Sequence, residues 1–430
     1  MNRKALAAIG AAAALSLTLA ACGSSSGGGS SDDESTASGP VDLSVAVWSM
    51  DQTPEFQALF DAFETAYPDI TIKPVDILAD DYPEKVTTML AGGDTTDVLT
   101  MKTLTDYSRY AGRGQLEDVT DLVTDYPDGK LAGTDGYDQD GKFFAVPYRQ
   151  DFWVLYYNKG LFDAAGLDYP DHVTWDEYAD LAQKLTGTDA AGQKVYGTYN
   201  HIWRSVTQAA AQAQNEGADL LSGDYGFLKD QYDLNVGLQK DGYALDYSTA
   251  KTQQVSYRTM FETQATAMMP MGTWYISGIL QAKKDAKSTV EWGIAPMPQI
   301  DGADGTTTFG GPTAFAVNKA SKHKDAAKTF LAFAASLEGA KAISAIGVVP
   351  ALQSDDVTAA YFALDGMPTD ELSKEAFAPD DVALEIAPSD ITADVDVILN
   401  EEHDLIMVGE KTVDQGIADM ESRVKQDVLD

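Results

Sequence analysis

The sequence predicts an α/β protein with two folded lobes, and three observations support this prediction. About 390 residues, from Val41 to the C-terminus, follow a distinct N-terminal leader. That length exceeds the roughly 250–300 residues that one hydrophobic core usually serves. Apolar residues make up 44% of the chain, which is enough to fill such cores. Strand-like and helix-like patterns alternate from Val41 onward, as in a parallel sheet covered by helices.

The first folded segment predicts a βαβ unit. Leu43, Val45 and Val47 alternate as in a half-buried strand. Pro54 then starts a helical pattern, at a position where the missing N–H of proline has no cost. The helix is expected to end at Pro68-Asp69, and ITIKPV continues as a second strand. A strand, a helix and a short return to a strand favour a parallel pair of strands.

Further segments continue the alternation. DYPEKVTTMLAGG is helical and leads into the strand DVLTM, and Asp140-Gly141 is a hairpin signal. FAVP and WVLYYN are extended segments, and Thr174 and Glu177 form a capping box before an amphipathic helix. Helices follow to about residue 270, and VEWGIAPMPQ is a strand. Helices then occupy HKDAAKTFLAFAASLEGAKAIS and the C-terminal segment from Val397, and we find no internal repeat.

The N-terminal leader has the pattern of a lipoprotein signal. Residues 1–21 combine a basic start with a short apolar run and small residues, which is typical of a secretory signal. The sequence LAAC at residues 19–22 resembles a bacterial lipobox, in which the cysteine receives the lipid. A transmembrane anchor is the alternative, but the apolar run is near the lower limit of roughly 17–25 residues for a span. We therefore predict lipidation at Cys22 and a location on the extracellular face of the cell membrane.

A tether separates the lipid from the folded body. Residues 22–40 are rich in glycine, serine and acidic residues and cannot bury enough apolar surface to fold. A flexible chain of this length spans roughly 21–25 Å on average. We predict a disordered tether, so that the protein contacts the membrane through its lipid alone.

The charge limits the classes of ligand. The formal charge is 30 − 67 = −37, and loss of Arg3 and Lys4 with the leader makes it −39. Such an acidic body repels nucleic acid and anionic headgroups. A neutral or cationic ligand is therefore expected. The single cysteine, Cys22, leaves no partner for an intrachain disulfide.

Six motifs, in order along the chain, resemble one known family. They are the lipobox, VAVWS followed by a helix ending in AYPDI, MLAGGDTTDVL, AVPYRQDFWVLYYNKGLF, MMPMGTWYISG with WGIAPMPQ after it, and FGGPTAFAVNKASKHKDAAKTFLAF. The chain resembles the extracellular solute-binding proteins of family 1, the sugar and oligosaccharide receptors of bacterial ABC importers, to which maltose-binding protein belongs. The resemblance covers nearly the whole chain after the leader.

The resemblance implies two discontinuous α/β lobes of the periplasmic-binding-protein type, class II. Hinge strands would join the lobes, with the ligand cleft between them. Chain crossings are expected near AVPYR, near WGIAPMP and near residues 347–350. The N-terminal lobe would then consist of residues 41–148 and 299–350, and the C-terminal lobe of residues 149–298 and 351–430.

The resemblance also implies a binding protein rather than an enzyme. We expect a monomer without a cofactor that closes over a sugar, most readily a neutral oligosaccharide, and docks on the permease subunits of an ABC transporter. A cell-surface glycoside hydrolase and a carbohydrate adhesin or scaffold are the alternatives. The 67 acidic residues are compatible with a catalytic pair of carboxyls, but the sequence carries no recognised catalytic signature. Incubation with oligosaccharides distinguishes cleavage from binding.

The stretch MGTWY carries the principal candidate for ligand contact. In the family, the tryptophan of a Gly-x-Trp after an apolar strand commonly stacks on a sugar ring, and Trp274 occupies that position. Gly272 is expected to let the backbone turn tightly and expose the indole. Tyr275 is a second candidate. The alternative is that both rings fill the lobe interior.

Polar candidates lie at the expected hinge and in the second lobe. The family often places an acid at the position of Asp151, and Arg149 and Gln150 precede it. An Asp–Arg pair here is either a sugar clamp or a hinge salt bridge. Asn200 and Trp203 belong to a polar-aromatic cluster where relatives carry stacking aromatics. By contrast, PSD at residues 388–390 stands where maltose receptors carry another aromatic, which argues against a maltose-type ligand.

Other candidates follow from strand ends. Ligands of open α/β sheets bind beyond the carboxyl ends of the strands. Four residues are expected at such ends: Trp48, Asp51, Asp97 and Lys102. Two glycines are expected to bring backbone N–H groups to the edge of the cleft, with an ordinary turn as the alternative: Gly310 and Gly311. The four histidines are scattered without metal-binding spacing, so no metal site is predicted.

Overall fold

The structure is a computed structural model, and it describes residues 39–430 apart from 125, 127–130, 353 and 430. The predicted signal peptide, the predicted lipidation at Cys22 and the predicted tether up to residue 38 lie outside the described residues. Among the described helices, none combines the length and the hydropathy that a bilayer span requires.

Twelve strands and seventeen α-helices occupy the described part of the chain. The strands are β1 Val41–Trp48, β2 Ile70–Ile77, β3 Val98–Met101, β4 Asp138–Gln139, β5 Lys142–Phe143, β6 Val146–Asn158, β7 Gly187–Thr188, β8 Lys194–Thr198, β9 Thr266–Gly272, β10 Trp292–Ala295, β11 Thr307–Val317 and β12 Asp381–Leu384. The helices are α1 Pro54–Ala66, α2 Tyr82–Ala91, α3 Leu104–Gly112, α4 Thr120–Thr124, α5 Lys159–Ala165, α6 Trp175–Leu185, α7 Gln208–Gln214, α8 Lys229–Lys240, α9 Tyr247–Thr252, α10 Tyr257–Glu262, α11 Tyr275–Lys284, α12 Lys324–Ala335, α13 Leu337–Ser344, α14 Asp355–Phe362, α15 Glu371–Glu375, α16 Thr392–Met407 and α17 Val413–Val424.

The first sheet half is built on the βαβ unit that the sequence predicts. β1 pairs in parallel with β2, from Val41 opposite Ile70 to Trp48 opposite Ile77, and also in parallel with β3. α1 begins at Pro54 and buries Phe56, Leu59, Phe60 and Phe63. The predicted parallel arrangement is confirmed for these three strands, because each return passes through a helix.

The long strands β6 and β11 connect the two halves of the main sheet. The strand order is β2-β1-β3-β11-β6-β9-β8-β7, and β10 and β12 pair with β6 and β11. β11 runs antiparallel to both β3 and β6, with a register shift between Thr313 and Ala314. β6 is one continuous strand, although the sequence indicated two extended segments, FAVP and WVLYYN. All its residues are buried, because it is covered on both faces.

Separate apolar cores lie against the two halves of the sheet. The first core contains Val45 of β1 and Tyr148 of β6, and the second contains Leu155 of β6 and Met269 of β9. β11 contributes Phe309 to the second core and its C-terminal residues to the first. A third cluster, around α16 and α17, extends the second half. The structure is therefore a mixed α/β fold whose halves share β6 and β11, and the lobe boundaries stay a prediction.

Two local signals are confirmed in detail. Thr174 and Glu177 form a capping box at the start of α6, because each side chain bonds the other's backbone N–H. β4 and β5 form a hairpin, with both Asp140 and Gly141 at positive φ. That backbone conformation matches the right-handed twist of the strands and favours Asp-Gly pairs.

Gly310→Ala is predicted to destabilise the folded protein, because Gly310 lies where β11 pairs with β6. A Cβ at Gly310 would lie 2.1 Å from the backbone oxygen of Asp151 and 2.7 Å from the Cα of Phe152, so the backbone must shift. Overpacking of this kind costs about 1–3 kcal/mol. The free energy of unfolding of the variant, measured by thermal or urea denaturation, checks this prediction. Gly311→Ala is the matched control, because no atom lies within 4 Å of a Cβ there. Equal stability of the two variants would contradict the prediction.

Candidate ligand-binding site

Three tryptophans form an aromatic group around the predicted stacking residue. Trp274 lies between β9 and α11, and its ring centre is 5.5 Å from that of Trp153 and 6.1 Å from that of Trp203. Trp153 is buried, whereas Trp274 and Trp203 are half-buried. Two indoles of this tryptophan group therefore keep part of their surface accessible, as stacking on the apolar face of a sugar requires.

Gly272 sets the position of the Trp274 indole in a different way from the one predicted. Gly272 ends β9 and does not have a positive φ, so it makes no left-handed turn. A Cβ at this position would lie 1.9 Å from the Trp274 ring. The missing side chain thus provides room for the indole to lie against the strand end.

Tyr275 lies in the second core. Its side chain is fully buried. Its ring centre is 5.2 Å from that of Tyr156, 5.4 Å from that of Tyr257 and 6.1 Å from that of Phe261. This placement supports the alternative that the sequence left open, a ring that fills the interior, because no face of the ring is available to a ligand in this conformation.

Arg149 joins two buried carboxylates where β6 passes between the halves. Its Nη1 lies 2.5 Å from Oε1 of Glu55, and its Nε lies 2.7 Å from Oδ2 of Asp151. Thr273 Oγ1 donates to Oδ1 of Asp151 at 2.9 Å. The structure thus contains the salt bridge that the sequence offered as one of two alternatives. Gln150, also buried, directs its Oε1 toward Gly133.

Burial and charge oppose each other in this ion-pair network. Burial raises the pKa of both Glu55 and Asp151, while the Arg149 guanidinium acts against that rise. Burial lowers the pKa of Arg149, but the two carboxylates outweigh it and leave the pKa above its ordinary value. An arginine between two carboxylates stays charged, and removal of one partner would leave a buried charge unpaired.

The end of β1 carries a second group of predicted residues. Trp48 is buried, with its ring centre 5.0 Å from that of Phe56 and 5.2 Å from that of Tyr82. Lys102 Nζ lies 5.5 Å from the Trp48 ring centre and donates to a backbone oxygen, and burial lowers the pKa of this amine. Asp51 is exposed in the loop between β1 and α1. Of these predicted residues, Asp51 is therefore the freest to meet a ligand.

The predicted position of Asp97 at a carboxyl strand end is wrong. Asp97 precedes β3 and so lies at its amino end, on the opposite edge of the sheet from Lys102. Its carboxylate accepts hydrogen bonds from the backbone N–H and the hydroxyl of Ser44 and from the hydroxyl of Ser321. Burial opposes these donors, but they hold the pKa of Asp97 below its usual value. The carboxylate links chain segments and is already saturated with donors.

Asn200 and its neighbours pack against the tryptophan group. Asn200 accepts from the hydroxyl of Tyr178 at 3.2 Å and donates to Asn235. The His201 ring lies 4.4 Å from that of Trp203, edge to face, and burial lowers the pKa of His201 to about 4. A neutral histidine at physiological pH has one hydrogen-bond donor and one acceptor. Nδ1 of His201 is already paired with the hydroxyl of Tyr199 at 3.1 Å.

Gly310 and Gly311 lie inside a strand, not at a turn. They pair with Phe152 and Asp151 across the ladder between β11 and β6. The backbone oxygen of Gly310 also accepts from the N–H of Glu385. Because the ladder uses these backbone groups, the expected presentation of free N–H groups at a cleft edge has no support in the structure.

A buried polar cluster begins at Arg204, the last residue of the polar-aromatic segment that contains Asn200 and Trp203. Arg204 Nε donates to Oδ1 of Asp396 at 2.9 Å, and Ser205 donates to the Glu385 carboxylate. Asp106, on α3, approaches this group because α3 packs against α16. We call these five residues the acidic cluster. The three acidic residues, Asp106, Glu385 and Asp396, come from distant parts of the chain, and no local motif marks them.

The acidic cluster holds carboxyls that ionise near neutral pH. Burial raises the pKa of Glu385 to about 7, and Arg204 acts against the rise. Burial also raises the pKa of Asp106 to about 6, and the Asp396 carboxylate adds to this effect. Carboxyls with such values can either accept or donate a hydrogen bond to a hydroxyl group.

His172 lies near the carboxylates of Asp171 and Glu375 and does not belong to the tryptophan group. Within the described residues, His172 Nε2 is 3.4 Å from an oxygen of Glu375 and 3.7 Å from one of Asp171. All three side chains are exposed. Exposed carboxylates often gather without a metal, so the absence of a metal site stays a prediction.

The fold and the sequence identify the class of protein. The family of bacterial extracellular solute-binding proteins matches residues 48–341, which is more than half of the chain. The chain therefore belongs to this family. Solved structures of the same fold are two-lobed binding proteins of the type of the maltose-binding protein MalE, and this fold class is the one that the sequence predicts.

Several of the relatives are sugar-binding proteins. The chain is 30% identical over 156 residues to a mannitol-binding protein of Pseudomonas aeruginosa, a match that covers 36% of each chain. It is 24% identical over 356 residues to a multiple sugar-binding protein of Streptococcus mutans, covering 77% and 78%. A sugar transporter structure from Rhizobium etli, in an open conformation, has 36% identity and a TM-score of 0.74, covering 90% and 99%. The chain spans half or less of the length of the first curated relatives it matches.

Glu385→Gln is predicted to remove a pH-dependent loss of stability. Glu385 has a pKa of about 7 in the folded protein, above its ordinary value of 4.5. The stabilising contribution of the protonated Glu385 carboxyl to the free energy of unfolding is therefore fully present below about pH 4.5. It is lost as the pH rises through 7. The variant should melt at a higher temperature than the wild type at pH 8, and the difference should shrink toward pH 5. The exposed Glu216 supplies the control, Glu216→Gln. The same pH profile for both variants would contradict the assignment.

Proposed function

We propose that the protein is a lipid-anchored extracellular receptor that captures a sugar, most readily a neutral oligosaccharide, and delivers it to the permease of an ABC transporter. The observation that carries this proposal is the half-buried pair Trp274 and Trp203, beside polar groups that can bind hydroxyls. Sugars offer an apolar face to aromatic rings and a rim of hydroxyls to polar side chains. The neutral character of the ligand is supported by the strongly acidic chain.

Binding is proposed to close two lobes over the ligand. The lobes would consist of residues 41–148 with 299–350 and of residues 149–298 with 351–430. β6 crosses the boundary between them as a hinge strand, and β11 pairs with it. Both strands carry residues of both cores, so a bend within them would move one core relative to the other. The Rhizobium etli sugar transporter in its open conformation supports such a movement in this fold. A ligand that contacts both lobes stabilises the closed form by its differential affinity.

The cellular part of the proposal rests on the leader and on the family. A signal peptide, lipidation at Cys22 and a flexible tether would keep the receptor at the extracellular face of the membrane. Membership of a solute-binding family supports docking on permease subunits. No catalysis and no cofactor belong to the proposal.

A cell-surface glycoside hydrolase is the alternative function. Asp106 and Glu385 have pKa values of about 6 and about 7, which suit general acid–base chemistry near neutral pH. The family nevertheless consists of binding proteins. Incubation of the protein with di- to tetrasaccharides separates the two functions, because a receptor leaves every saccharide intact and a hydrolase releases shorter products.

Trp274→Ala is predicted to weaken saccharide binding by well over tenfold. The variant removes the accessible indole while leaving the buried Trp153 in place. A thermal-shift screen first selects a saccharide, since a ligand at 100 times its Kd adds about 2.7 kcal/mol of stability. Calorimetric titration then gives the affinity of the folded variant.

Tyr169→Ala is the matched control for this experiment. Tyr169 is partly exposed, and its ring lies near those of Tyr157 and Phe162 rather than near the tryptophan group. Its removal should leave the affinity unchanged. An unchanged affinity of Trp274→Ala would exclude this indole from the binding site.

A further inference from the structure

Arg258 occupies an unusual position between the two cores. It lies in α10, where Met260 and Phe261 belong to the second core. Its side chain is half-buried, and the guanidinium carbon lies 5.6 Å from the ring centre of Tyr257 and 5.7 Å from that of Tyr275. Two aromatic faces attract and orient the cation at these distances.

Gly278 provides the space through which Arg258 extends. Gly278 lies inside α11, where a glycine costs about 1 kcal/mol relative to alanine. A Cβ at Gly278 would lie 1.8 Å from Nη1 of Arg258 and 2.7 Å from its guanidinium carbon. The missing side chain therefore permits the arginine to cross the face of α11.

The guanidinium ends on the first half of the fold. Its Nη2 donates to the backbone oxygen of Gln52 at 3.1 Å. Gln52 lies in the loop between β1 and α1, and both of these elements contribute to the first core. The same charge also acts on Glu55, where it opposes the increase in pKa that burial causes. Arg258 thus connects α10, a helix of the second core, to the loop that carries Asp51.

We propose that Arg258 is a clasp that holds the two halves of the fold together before any sugar binds. This inference rests on the proposed movement of the halves about β6 and β11. The contact holds the loop between β1 and α1 against α10 and raises the fraction of receptor in the closed form. Arg258 is therefore a positioning residue, because it sets the population that is competent to hold a ligand.

Two variants break the clasp by different routes. Arg258→Ala removes the guanidinium. Gly278→Ala keeps it but places a Cβ where Nη1 lies, and a helical alanine favours folding of α11. Arg113→Ala is the control, since Arg113 is exposed at the end of α3 and carries the same charge.

The test uses the full chain without saccharide. Small-angle scattering gives the radius of gyration, acrylamide quenching reports access to the tryptophans, and thermal melting checks that each variant is folded. The wild type and Arg113→Ala should have the same radius and weak quenching. Arg258→Ala and Gly278→Ala should both have a larger radius and stronger quenching.

Two results would overturn the clasp. One is an unchanged radius and unchanged quenching in both clasp variants. The other is a lower melting temperature without a change in radius, which means that Arg258 only packs. The saccharide affinity of Trp274→Ala tests the proposed function, whereas the radius and the quenching of the clasp variants test the clasp. Failure of one proposal is therefore distinguishable from failure of the other.

Discussion

The fold depends on the pairing of β6 with β11, because these strands carry the chain between the two cores. Gly310 lies so close to Asp151 that any side chain there would clash with the backbone. The same crossing places Arg149 between the carboxylates of Glu55 and Asp151. Burial makes these charges costly unless they stay paired, so the network fixes the relative position of β6 and α1. A movement of the halves must bend the strands without separating these groups.

The pairing of β6 with β11 also positions the candidate site. β9 pairs with β6 next to the crossing and ends at Gly272, which brings Trp274 onto Trp153 of β6. The His201 ring lies against that of Trp203, and Arg204 of the acidic cluster directly follows Trp203 in the chain. Burial shifts the pKa of His201 and of Glu385 in this region. Aromatic faces and neutral or weakly ionised polar groups suit a ligand with hydroxyls and an apolar face. The strongly acidic chain makes an anionic ligand unfavourable.

Local signals in the sequence predicted local structure well. The capping box at Thr174 and the Asp-Gly hairpin depend on neighbouring residues, so the sequence contains all the information they need. Trp274 was singled out because it belongs to a short motif, and its role in stacking stays a prediction. Asp97 was assigned to the wrong strand end because that assignment requires the strand boundary to within a residue. Glu385 and Arg258 were missed because their partners are far away in the chain and appear only when the halves are folded.

The central claim is that one saccharide binds between the two halves and contacts both. Hydrogen–deuterium exchange of the free and bound protein tests it most directly, with the di- to tetrasaccharide that raises the melting temperature most. The account predicts slower exchange on binding in two segments at once, the loop between β1 and α1 and the start of α11 around Trp274. Protection of only one segment, or of neither, would contradict it.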